Sequence, residues 1–241
     1  MPADILLYAV IAAGLVFWLR SLLGTRHDDE PQRENPFTSL PETKSGKDGF
    51  LTPVAGIQDD YIDNMADSLG RNMSIANDEA KAGLADIVQA DKGFDLLNFM
   101  VGAQDAFVII VESFAEGDRD TLKGLLSEPL YKTFEKEITR RENDGEEASM
   151  EIHAVRHADL IDAHVKDKTA FITVKFTADE TSVIRDKDGD ILSGNPDRVT
   201  ETIDIWTFAR VLRSRDPAWL VCETREAEDD PVPGSHVPEG S

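Results

Sequence analysis

From Phe94 to Thr224 the apolar residues change their spacing once, from the helical period of about 3.6 to the strand period of about 2. The first part opens with FDLLNFMVGAQDAFVIIVESFA, Phe94 to Ala115. There Phe99, Met100, Ala103, Phe107, Ile110, Val111 and Phe114 form one broad helical stripe. Gly117-Asp118 ends that helix, and Asp118 is placed to cap a short helix carrying Leu122, Leu125 and Leu126. Ser127 is placed to cap a third, with Pro129 in its first turn and Leu130, Phe134 and Ile138 on its inner face. Asn143-Asp144-Gly145 stops it. Strand alternation takes over at Met150, Ile152 and Ala154, in a region running to about Val165. Lys166-Asp167-Lys168 is a tight connection into a strand from Thr169 to Ala178, where Ala170, Ile172, Val174 and Phe176 share a face. A third strand sets Asp204, Trp206 and Phe208 against Ile203, Ile205, Thr207 and Ala209, and a fourth covers Ala218 to Thr224. Helices followed by about four strands on hairpin-length links predict an α+β layer: helices packed on a curved antiparallel sheet.

A second constraint stands at the front of the chain. Ile5 to Leu19 carries no charge and no proline, with Ile5, Leu6, Leu7, Val10, Ile11, Leu15, Val16, Phe17, Trp18 and Leu19 as its bulky apolar members. As a helix from Ile5 to Leu23 it reaches about 28 Å, close to the hydrocarbon thickness of a bilayer. Asp4 precedes the run, whereas Arg20 and Arg26 follow it, and no small-x-small cleavage pattern succeeds Leu19. An uncleaved transmembrane helix over 1–24 is therefore expected. The basic residues behind it place the rest of the chain in the cytoplasm.

Residues 25–58 are rich in Pro, Gly, Ser and charge, and read as a flexible charged linker. Residues 59–90 space Ile62, Met65, Leu69 and Met73, and then Ala80, Leu84 and Ile87, as one or two short amphipathic helices. The compact domain is expected over 91–226, and 227–241 reads as a disordered acidic tail. The formal net charge of -22 makes a nucleic-acid partner improbable and repels an anionic leaflet. Attachment to a membrane would then rest on the apolar run. The single cysteine, Cys222, excludes an internal disulfide and a thiolate zinc cluster.

Phe94 to Phe134 resembles the opening of the import-motor tether domain of the Tim44-like family, and Asp204 to Val221, DIWTFARVLRSRDPAWLV, resembles its closing strands. With an anchor and charged linker in front, the chain looks like the bacterial, TimA-type form. That resemblance implies a cone of the nuclear transport factor two-like kind with a large hydrophobic pocket. It also implies a bacterial inner-membrane, single-pass adaptor that binds protein partners such as translocase or chaperone components. A lipid or apolar peptide in the pocket is a further implication, and neither enzymatic activity nor a cofactor is implied.

Several residues invite chemistry of their own. Asp186, Asp188, Asp190 and Asp197 fall at ligand positions of a calcium loop, but Ile191 stands where that loop needs glycine, so a solvated hairpin loop is expected. His153 and His157 lie four apart on an expected strand, where that spacing is no metal pair, and no metal site is expected. Phe99, Phe107, Val111, Phe134, Ile172, Val174, Trp206 and Phe208 are either plain core or the lining of an apolar pocket. Asp204 shares a face with Trp206 and Phe208; in apolar surroundings its pKa would rise as a general acid or base requires. The leading expectation is a membrane-anchored adaptor. A membrane-tethered enzyme using Asp204 and a passive lipid-binding module are the alternatives.

Overall fold

The computed structural model describes residues 57–227 apart from Arg215. The expected anchor, nearly all of the expected linker and the tail beyond Ala227 lie outside the described residues. The helices are α1 (Ile57–Asp67), α2 (Asp78–Ala90), α3 (Leu96–Glu116), α4 (Arg119–Leu125) and α5 (Glu128–Asp144). The strands are β1 (Met73–Ile75), β2 (Glu147–Lys166), β3 (Thr169–Arg185), β4 (Ile191–Gly194), β5 (Thr200–Val211) and β6 (Leu220–Glu226).

Local chemistry sets the helix boundaries. Asn77, Asp95 and Asp118 cap α2, α3 and α4, each accepting from a backbone N–H in the first turn. Gly117 and Gly145 end α3 and α5 in the left-handed conformation, at φ 75° and 71°. Ser127 departs from expectation. It precedes α5 but its hydroxyl makes no capping bond. Its backbone N–H donates instead to the Val221 carbonyl at 2.8 Å, tying the start of α5 to β6.

The sheet is six-stranded in the order β1-β2-β3-β5-β6, with β4 paired to β3. It is mixed, not purely antiparallel as the hairpin-length links suggested, because β1 runs parallel to β2. Among the described residues the strand regions number six instead of about four, since β1 and β4 are too short to leave a periodic signature. Asp167 and Lys168, both at positive φ, form the two-residue turn between β2 and β3. Register shifts at three places along the β2–β3 ladder bend the hairpin over the helices.

Every second residue of β3 from Ala170 to Ala178 is fully buried, as are Trp206 and Phe208 of β5. They meet the stripe of α3. Phe107 stacks on Phe176 with centroids 4.6 Å apart and lies 4.8 Å from Trp206. Phe99 packs edge-on against Phe208 at 5.6 Å and Trp219 at 4.8 Å. By length and composition α3 would pass for a membrane span. Its stripe is instead the centre of the hydrophobic core.

α2 lies on β2 at backbone distance. A Cβ added to Gly83 would sit 1.6 Å from the Ala163 carbonyl oxygen, so only hydrogen fits there. Gly83→Ala is expected to destabilise the domain by about 2 kcal/mol, because the helix must lift off the strand. Urea denaturation at neutral pH measures this, and an unchanged midpoint would show that the helix shifts freely.

Candidate functional site

Strand alternation carries the inner face of the sheet beyond its apolar centre into a polar end. The register pairs Phe176 with Asp204, Ala178 with Thr202 and Glu180 with Thr200, so all six residues share the helix-side face. Glu180, Asp204 and Thr202 are 5%, 4% and 6% exposed. Both acidic residues are thus largely withdrawn from water. Burial, reinforced by the neighbouring Asp204 charge, pushes the Glu180 carboxyl from an ordinary 4.5 up to about 7. Among the described residues Thr202 Oγ1, Ser182 Oγ and Trp206 Nε1 are buried without a hydrogen-bond partner. Buried polar groups are normally satisfied. Chemically, such a cluster can hold a proton near neutral pH or receive a cationic group.

Asp204 thus lies on the face that alternation assigned it, with Trp206 and Phe208. Glu180 was missed. The polar run Ala178-Asp179-Glu180-Thr181-Ser182 ends the apolar alternation, and the expected strand stopped at Ala178, whereas β3 continues to Arg185. Extending the alternation by one step would have placed Glu180 beside Ala178.

The eight apolar candidates sit in the layer between helices and sheet. Phe107, Val111, Phe134, Ile172, Val174, Trp206 and Phe208 are at most 1% exposed. Phe134 packs edge-on against Phe114 at 5.1 Å. Phe99 borders a surface concavity of about 120 Å³, with Phe94, Asn98, Arg210 and Trp219. A ligand entering this layer must displace aromatic side chains already in contact.

A half-buried and a buried arginine brace the same layer. Arg210 lies 4.9 Å over the Trp219 ring and pairs with Asp91, joining β5 to the link between α2 and α3. Arg141 lies 4.4 Å over the Phe114 ring and donates to the Phe114 carbonyl, holding the end of α3 to α5. On the opposite sheet face a groove of about 470 Å³ is lined by His164, Phe171, Thr173, Thr207, Cys222 and Arg225, among others. Burial pushes the Cys222 thiol up to about 11, which disfavours its thiolate form.

The acidic loop serves as a turn. The Asp186 carboxylate accepts from the backbone N–H groups of Asp188 and Asp190, both at 2.9 Å. His153 bonds Thr181 Oγ1 at 2.7 Å and is exposed, as is His157.

Residues 80–226, from α2 to β6, match the family model of the Tim44-like domain. The chain belongs to the Tim44-like domain family. Relatives of this Tim44-like protein include the mitochondrial import inner membrane translocase subunit TIM44 of Mus musculus, 24% identical over 173 residues, and that of Homo sapiens, 22% identical. The matched segment is 70% of this chain but 38% of each relative's length. The Tim44-like chain also aligns over 53% of its length with the intermembrane space region of chloroplast protein ARC6, of which 95% is covered, at 11% identity and a TM-score of 0.39. That score is too low to bear on the fold.

Proposed function

We propose that this protein is a membrane-held tether of the TimA type, a non-enzymatic adaptor whose domain recruits protein components of a translocase or a chaperone to a bacterial inner membrane. The family match across α2 to β6 carries the reading, since the matched relatives are named as subunits of an inner membrane translocase. The run from Ile5 to Leu23 supports it by supplying an apolar segment of membrane-crossing length in the same chain. Arg20 and Arg26 behind it favour a cytoplasmic domain. A net charge of -22 fits attachment through that run, not through an electrostatic patch. Tethering by the linker raises the effective concentration of the domain near membrane partners. The register shifts along the β2–β3 hairpin support a nuclear transport factor two-like cone, in which the aromatic layer would receive an apolar peptide or acyl chain.

Fractionation tests the tether. The full chain is expected in the carbonate-resistant membrane pellet, and a version lacking residues 1–24 in the supernatant. Crosslinking from the full chain should then recover translocase or chaperone components. A full chain that stays dispersed after ultracentrifugation, or crosslinks only to soluble metabolic enzymes, overturns the proposal.

A further inference from the structure

The polar end of the inner sheet face holds more hydrogen-bonding capacity than the protein uses. Glu180 is 5% exposed, and burial and the like charge of Asp204 act on its carboxyl with no compensating hydrogen bond. Thr202, 6% exposed, keeps an unpartnered hydroxyl two residues along β5 from Asp204, on the side away from Trp206, and one diagonal step from Glu180. Ser182 Oγ, two residues beyond Glu180 on β3, is also buried and unpartnered. An isolated protein gains nothing from the two buried, unpaired hydroxyls, which leave water without replacing its hydrogen bonds. A ligand that supplies the missing partners would recover that cost.

We propose that Glu180, Thr202 and Asp204 form a binding site for one organic ammonium group. The Glu180 carboxylate and the Thr202 hydroxyl accept its N–H bonds, and the Asp204 charge reinforces them.

The chemistry of the acceptors selects this class. An anion is repelled by two carboxyl groups in a nearly dry setting. A metal ion needs three or more firm ligands, and no group of three His, Cys, Asp or Glu is placed to hold one among the described residues. A guanidinium presents five donors in a fixed plane, more than these acceptors meet, whereas an –NH₃⁺ presents three rotatable ones. Its carbon stem has apolar neighbours, since Ile152 pairs with Glu180 and Val155 with Ala178 on the adjoining strand. Entry of the cation also displaces the proton that Glu180 otherwise holds near neutral pH. Binding therefore tightens as pH rises through 7. The small residual exposure of Glu180, Asp204 and Thr202, against none at Phe176 and Trp206, marks the end of the face from which a ligand arrives.

An ammonium group reaches the site either as a free alkylamine or as the ethanolamine headgroup of a membrane lipid. The full-length protein in mild detergent, with its tryptophan indoles labelled with nitrogen-15, distinguishes them. Trp206, two residues along β5 from Asp204 and carrying a buried indole N–H, is the reporter, assigned with Trp206→Phe. Titration with n-butylammonium chloride at pH 8 is expected to move the Trp206 signal saturably, while sodium and tetramethylammonium chlorides at matched ionic strength leave it still. Glu180→Gln and Thr202→Val should each weaken binding at least about tenfold. Both replacements keep side-chain size and are expected to fold, which the unshifted Trp219 signal verifies. In nanodiscs, a shift with phosphatidylethanolamine that is absent with phosphatidylcholine assigns the site to the lipid headgroup. A shift with the free amine alone assigns it to a soluble amine. No saturable shift with either source, or equal binding by Glu180→Gln, overturns the proposal, as does equal binding of tetramethylammonium, which has no N–H to donate.

Discussion

Phe107→Ala is expected to lower the stability of the domain by about 4 kcal/mol. The ring is fully buried, stacked on Phe176 with an interplanar angle of 20° and in contact with Trp206. Truncation removes the transfer free energy of the ring and leaves a cavity between α3 and two strands, which their hydrogen-bond ladder keeps from closing. The aromatic pairings add about 0.5–1.5 kcal/mol beyond area burial. Phe107→Leu retains most of the volume and is expected to cost about 1.5 kcal/mol. Urea unfolding, with the slope held constant between variants, measures both. The result bears on function as well as stability. A loss of under about 1 kcal/mol from Phe107→Ala would mean that the layer repacks readily, as a site for an acyl chain or apolar peptide must. A full loss means that such a ligand has to displace a well-packed ring at comparable cost.

Glu180→Gln is expected to stabilise the protein at alkaline pH and to have little effect near pH 4. The folded-state carboxyl is raised from an ordinary 4.5 to about 7 by burial and the Asp204 charge. The folded protein therefore holds the proton more tightly than the unfolded chain. The parent loses stability progressively as pH rises from about 4.5 to about 7 and loses no more above that, for a total of about 3 kcal/mol. Glutamine has no charge to desolvate and escapes this loss. The difference between variant and parent, followed by urea unfolding from pH 4 to pH 9, should grow across that window and then level off. Parallel curves would show that Glu180 reaches water in the folded state. The same substitution removes the acceptor proposed for an ammonium group, so a gain in stability with a loss of amine binding is the pattern of a site that sacrifices stability for a ligand.

The sequence by itself determined what repeats over a few residues. The stripe of α3, the glycines that end α3 and α5, the alternation of β3 and β5, and the inward face of Asp204 all follow from periods and caps that act within one or two turns. Resemblance in two blocks pointed to the family that the match over 80–226 establishes. Only the tertiary structure decided which segments meet across long separations. The three-residue β1 is a strand because Met73, Ser74 and Ile75 find Ala158, Asp159 and Leu160, not because of any pattern in their side chains. Gly83 matters because the Ala163 carbonyl arrives 80 residues later to occupy the space of its missing Cβ. Arg210 is half-buried because Asp91 and Trp219 cover it from two other segments. Glu180 belongs to the inner face because its strand is held past the end of its apolar run by β2 and β5 on either side. Hydrophobic period is a local quantity, but the length of a strand and the burial of a charge are fixed by partners distant in the chain, and those exist only once it has folded.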